Sequence, residues 1–122
     1  MKPFAGWGVD DHTYDASWGT DHFDFLLEGV PNLVANQEVA NYLQNYHAAS
    51  DTFDKVDIRE LKLNTVLAAV TAWGTADRVE PIGPRYSRAQ IETLMKETGL
   101  DQEMKTQGMW ADWESGLRGR KP

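Results

Sequence analysis

The chain contains no cysteine. That excludes disulfides and thiolate metal sites, so any zinc held by this sequence must use His, Asp or Glu. It does not fix the compartment. No apolar run approaches the roughly 20 residues of a membrane-spanning helix. The opening Met1-Lys2-Pro3-Phe4-Ala5-Gly6 lacks the apolar core of a secretory signal. Basic residues are scarce: 12 Lys and Arg stand against 19 Asp and Glu, for a net charge of −7. Nucleic-acid phosphates demand a basic face, which this balance does not supply. The only basic cluster, Arg118, Arg120 and Lys121, reads as a solvated terminus. Neither a nucleic-acid partner nor a membrane span is expected.

What is present suits one globular domain of 122 residues, 41% hydrophobic and 25% charged. Residues 1–18 read as loop, with a short strand near Phe4–Val9. Thr20 or Asp21 can cap a short helix over 22–28, with Gly29 at its left-handed stop. Asn32-Leu33-Val34-Ala35 reads as a buried strand, and 36–50 as a long polar loop. The clearest element is a helix from about Ile58 to Asp77. Asp57 is its N-cap and Glu60 its N3 residue, and Leu63, Val66, Leu67, Val70 and Trp73 recur as one buried face. Ser87 caps another helix, with Ile91, Leu94 and Met95 inward and Gly99 as its stop, and Asp101 opens a short one to about Gln107. A single strand cannot satisfy its own backbone donors and acceptors. This pattern therefore points to strands overlooked in the reading, or to a piece that lies against a sheet supplied by other residues.

The residues able to carry chemistry cluster in two runs. His47 lies in a polar loop beside Tyr46. Neutral imidazole is a common zinc ligand, although by spacing alone one His without matched partners reads more readily as a hydrogen-bonding surface residue. Tyr46 is either an aromatic anchor or a phenol donor to a developing oxyanion. Adjacent side chains on extended backbone point to opposite faces, so the two can address one substrate only if the backbone is irregular. Asp51 and Thr52 read as turn or capping residues, or as outer support that orients His47. Gly19, Thr20 and Asp21 form a loop where glycine allows close approach of main chain to a ligand, and Asp21 also reads as a cap. His12, His22 and the Asp10-Asp11-His12 run are weaker candidates, because adjacent residues rarely make a tetrahedral set.

The order Gly19-Thr20-Asp21-His22-x-x-Phe25, Glu28-Gly29-Val30-Pro31, then Tyr46-His47-x-x-x-Asp51-Thr52-x-Asp54-Lys55-Val56-Asp57 resembles the co-catalytic zinc exopeptidases. These form peptidase family M twenty-eight: bacterial aminopeptidases, carboxypeptidase Q and glutamate carboxypeptidases. The likeness covers about residues 19–78, including the Ala-Val-Thr-Ala-Trp run of the long helix, and residues 79–122 look like a lineage-specific linker and helical extension. It implies an α/β fold: the C-terminal fragment of a three-layer αβα zinc-exopeptidase, helix-rich with one or two strands in this piece. Residues 1–78 would belong to the catalytic domain and 79–122 to an extension of it.

By the same resemblance, His47 is the last zinc ligand in chain order and Tyr46 the phenol facing the tetrahedral intermediate. Gly19 and Thr20 line the substrate end-group pocket, and Asp21 is a buried carboxylate holding that loop. Asp51 and Thr52 lie where the C-terminal helix begins. Family members hold two zinc ions, act on terminal peptide bonds and are often exported. The remaining ligands and the general base cannot be placed here. Catalytic zinc usually needs three protein ligands, so the chain alone is expected to hold no zinc pair and to turn over no peptide. Two alternatives stand beside this reading. One is a non-catalytic interaction module of the same fold, recruiting a partner through a sheet edge. The other is a single-zinc glutaminyl-cyclase-like acyltransferase, whose relatives share the Asp-His and Gly-Val-Pro runs.

Overall fold

A computed structural model of the chain describes residues 13–121. The helices in order are α1 (His22–Leu27), α2 (Tyr42–Asn45), a 3-10 turn (Phe53–Lys55), α3 (Ile58–Ala76), α4 (Arg88–Thr98), α5 (Leu100–Thr106) and α6 (Trp110–Glu114). Among the described residues there is no strand, and half of them are helical. The α/β expectation, with one or two strands in this piece, is therefore corrected to all-α. Residues 32–35, expected as a strand, are irregular. Leu33, Val34 and Ala35 are exposed, so their backbone groups are open to water without a neighbouring strand, and a short apolar run does not specify a strand by itself. The strand expected at Phe4–Val9 lies outside the described residues.

The chain divides into two compact units, one made of residues up to Leu33 with those from Pro84 onward, the other of Val34–Gly83. The first unit owns the hydrophobic core. Phe23 and Leu27 from α1, Ile91 and Met95 from α4, Leu100 and Met104 from α5 and Trp113 from α6 are buried together. These positions follow from sequence: α4 repeats apolar residues one turn apart, and Gly99 at φ 79° lets α5 restart in a new direction. The α4 start is a full capping box, in which the Ser87 side chain accepts from the Gln90 backbone and the Gln90 side chain reaches back to Ser87 N–H. Two glycines permit close approach. At Gly29 (φ 75°) a Cβ would stand 2.3 Å from the Tyr86 carbonyl oxygen. At Gly119 (φ 76°) it would stand 2.8 Å from the Trp113 ring and 2.9 Å from Leu27 Cβ.

The C-terminal segment is not the solvated tail expected from its sequence. Arg118 forks onto Asp24, with Nε at 2.7 Å and Nη2 at 3.2 Å from the carboxylate oxygens, and its guanidinium stands 5.0 Å from the Phe23 ring centre. The Arg120 backbone N–H donates to Leu27 O (2.9 Å) and its side chain to Tyr86 O (2.6 Å). Arg88 lies 3.9 Å above the Trp113 ring and donates to the carbonyls of Arg120 and Trp113. Arg85 adds bonds to the Glu28 carbonyl (3.0 Å) and carboxylate (2.9 Å). Arginine suits this work because one planar fork serves carboxylates, carbonyls and ring faces.

In the second unit α3 begins as expected: the Asp57 carboxylate accepts from Arg59 N–H (2.9 Å) and Glu60 N–H (3.1 Å). Its apolar face is not buried, however. No residue between 34 and 83 is buried; Leu63 and Leu67 are half-covered, while Val66, Val70 and Trp73 are exposed. The periodicity is real, but among the described residues nothing large covers it.

Candidate functional site

Tyr46 and His47 follow directly on α2. The Tyr46 N–H closes the helix onto Tyr42 O at 2.8 Å, and Asn45 Nδ2 donates to Asn41 O at 2.8 Å. At His47 the backbone turns into the left-handed region, with φ 54°. That conformation is costly for a residue with a Cβ. It brings the two neighbouring rings to one side, with centroids 4.0 Å apart and planes tilted by 50°. Tyr42 completes the cluster, its ring centre 4.8 Å from that of Tyr46. The Tyr42–Tyr46 pair is one helical turn apart, a contact legible in the sequence as an i, i+4 pair but missed there. The Tyr42 phenol is pushed above its ordinary pKa, first by desolvation, then by the Tyr46 phenol and the Asp51 carboxylate.

Both candidate groups are accessible. Tyr46 is 51% exposed, and His47 is exposed with no hydrogen bond from either ring nitrogen among the described residues. Asp51 and Thr52 follow within the same turn, where Asp51 N–H donates to Ala48 O at 3.0 Å. Neither side chain bonds to His47. The Thr52 hydroxyl donates to Ser50 O (3.2 Å) and to the Asp54 carboxylate, which also pairs with Lys55. Lys55 first and Thr52 second hold the Asp54 carboxyl below its usual range.

Gly19, Thr20 and Asp21 belong to the first unit and precede α1. Gly19 adopts φ 108°, and a Cβ there would meet nothing within 4 Å. Asp21 is exposed, with no side-chain cap bond to the helix. The Thr20 hydroxyl is engaged by His22 Nδ1, and His22 Nε2–H donates to Ser17 O at 3.0 Å. With both nitrogens occupied, His22 is a structural histidine that ties residues 17–20 to the helix. Asp10, Asp11 and His12 lie outside the described residues.

The zinc implied by the resemblance does not fit what the described residues bring together. Among them no three His, Cys, Asp or Glu side chains converge on a point, whereas a catalytic zinc takes three protein ligands. His47 is one ligand without partners, and no catalytic step through a metal follows from this chain. An open groove of about 360 Å³ runs along α4, lined by Tyr86, Ala89, Gln90, Thr93, Leu94 and Glu97. It contains none of the candidate residues. Comparison with family models, with curated proteins and with solved structures finds no match.

Proposed function

We propose that this chain is the C-terminal part of a zinc-dependent exopeptidase acting on terminal peptide bonds. In this reading Tyr46 donates a phenolic hydrogen bond to the oxyanion that develops at the scissile carbonyl, and His47 is one ligand of a metal site completed by residues outside this sequence. One observation carries it. The left-handed turn at His47 sets the phenol and the imidazole side by side, 4.0 Å apart and open to solvent, which is what two adjacent residues need if they are to face one substrate. The sequence runs that surround the pair, from Gly19 to Asp57, supply the family to which such a pair would belong.

The test uses the whole reading frame that contains these residues, assayed for zinc content and for release of terminal residues from amino- and carboxy-terminal peptide substrates. Expected are two zinc ions and turnover. Tyr46→Phe should keep both zincs and lower kcat by roughly 10²–10³, the usual cost of losing one oxyanion donor, and His47→Ala should lose zinc. The 122-residue chain alone should hold none in stoichiometric amount. Retention of full zinc and turnover by His47→Ala would sink the reading, as would a stoichiometric zinc site in the short chain.

A second reading is favoured by a different observation. The apolar stripe of α3 is exposed on a helix that is well capped and long, as expected of a non-catalytic interaction module that docks through a helix face. The sheet edge expected for that role is not available, since the described residues contain no strand.

A further inference from the structure

We propose that α3 is the seam of an antiparallel homodimer, so that the partner of this helix face is a second copy of the same chain. The proposal rests on the interaction-module reading. Its test reads mass, whereas zinc content and turnover test the exopeptidase reading, so the two failures are distinguishable.

Arg59, Leu63, Val66, Val70, Trp73 and Asp77 follow one another at steps of four, three, four, three and four. That alternation is the hydrophobic repeat of about 3.5 residues that two helices need to stay in register along a shared seam. From Arg59 to Asp77 the stripe spans about 27 Å at 1.5 Å per residue, and its apolar part from Leu63 to Trp73 about 15 Å. Leu63 is half-covered, while Val66, Val70 and Trp73 are 51%, 41% and 73% exposed. Asp77 keeps helical dihedrals one residue past the helix, φ −81° and ψ −1°.

The pattern is also its own complement when reversed. An antiparallel copy centred at the level of Ala68 sets Val66 against the partner's Val70, Leu63 against the partner's Trp73, and Arg59 against the partner's Asp77. Each contact occurs twice by symmetry, as a two-fold interface requires. The large Trp73 meets one aliphatic residue and the two valines fill the centre. The charges close both ends with opposite signs. Arg59 and Asp77 are exposed, and among the described residues neither takes part in an ion pair. A parallel arrangement in register would instead stack Arg59 on Arg59 and Asp77 on Asp77, so charge selects the antiparallel one. Beside the seam Ala69, Gly74 and Ala76 keep the backbones free to approach. A single helix seam of this length buries less than the ~800 Å² per partner of a standard interface, so association is reversible and concentration-dependent.

Sedimentation equilibrium of the 122-residue chain tests it, with far-UV circular dichroism recording helix content. The wild-type mass should climb from 13.8 kDa toward twice that value as concentration rises. Val70→Asp should stay at the monomer mass. Arg59→Asp and Asp77→Arg should each weaken association about tenfold or more, since each removes two ion pairs and creates two repulsions. Neither harms the isolated helix, because an acid in the first turn and a base beyond the last both suit the helix dipole. The double variant Arg59→Asp/Asp77→Arg restores opposite charges across the seam and should recover association. The proposal is overturned by a wild-type mass of 13.8 kDa at every concentration. It is equally overturned by a dimer that survives Val70→Asp, or by a double variant as weak as the singles with helix content unchanged.

Discussion

Three glycines of nearly equal φ offer a way to weigh tertiary contact against local strain. Gly108, Gly119 and Gly29 have φ of 72°, 76° and 75°. Placing alanine at any of them incurs the left-handed penalty, about 1–2 kcal/mol. They differ in what a methyl group would strike. At Gly108 nothing lies within 4 Å, so Gly108→Ala should show that local term alone. At Gly119 the methyl meets the Trp113 ring at 2.8 Å and Leu27 Cβ at 2.9 Å. Both neighbours are fully packed core residues with little room to retreat, and overpacking adds about 1–3 kcal/mol. Gly119→Ala should therefore cost about 2–5 kcal/mol in all. At Gly29 the methyl would stand 2.3 Å from the carbonyl oxygen of Tyr86. Backbone must move there, and moving it threatens the Tyr86 N–H bond to Gly29 O (2.9 Å) and the Arg120 bond to Tyr86 O. Gly29→Ala should be the worst of the three, at or beyond about 4 kcal/mol, a large part of the stability of any small domain. Urea unfolding followed by tryptophan fluorescence and far-UV circular dichroism gives the three values, provided the slope with denaturant is unchanged. The ordering Gly29 above Gly119 above Gly108 is the result that matters. Equal losses at Gly108 and Gly29 would refute the claim that close packing between α1 and the Tyr86 segment demands glycine.

The Asp24–Arg118 fork makes a pH prediction. The Arg118 hydrogen bond holds the Asp24 carboxyl below its ordinary 3.8, against a smaller opposing effect of burial. A carboxylate with a depressed folded pKa stabilises the protein above the unfolded value and loses that contribution as pH falls through the folded one. Stability should thus decline below about pH 4 in wild type, and Asp24→Asn should flatten that part of the decline. Because Asp24 is 64% exposed, the difference should stay under about 1 kcal/mol. Met95→Ala, at a fully buried site, should cost about 2–5 kcal/mol by urea unfolding. Asp57→Ala should lower α3 stability by about 0.5–2 kcal/mol, visible as lost ellipticity, while Asp57→Ser should retain most of it.

The helices whose signals are local were legible in advance. Asp57 and Ser87 announce α3 and α4 because a cap is a contact between a side chain and backbone two or three residues on. Gly29 and Gly99 mark helix stops for an equally local reason. The inward positions Ile91 and Met95 followed from period alone. The strand at 32–35 failed because a strand is defined by its neighbour, and three apolar residues after Asn32 carry no information about whether a neighbour exists. The buried face of α3 failed in the same way: Val66, Val70 and Trp73 have the right spacing, but spacing does not supply a cover. Arg118 and Arg120 were misjudged because their partners, Asp24, Leu27 and Tyr86, lie far away along the chain.

For the candidate site, sequence placed Tyr46 beside His47 and stated the backbone irregularity their joint use would require. Whether two adjacent rings share a side is a matter of dihedral angles, and only the structure fixed His47 at φ 54°. The sequence by itself determined where α1, α3 and α4 begin and end, since those signals act over three or four residues, whereas α2 formed inside the stretch expected as loop. Tertiary structure alone decided which faces find a partner: α1 and α4 to α6 enclose a core tied by arginines from the far end of the chain, while α3 keeps its stripe open. Burial is a property of what a surface meets, and that information is not carried by the surface.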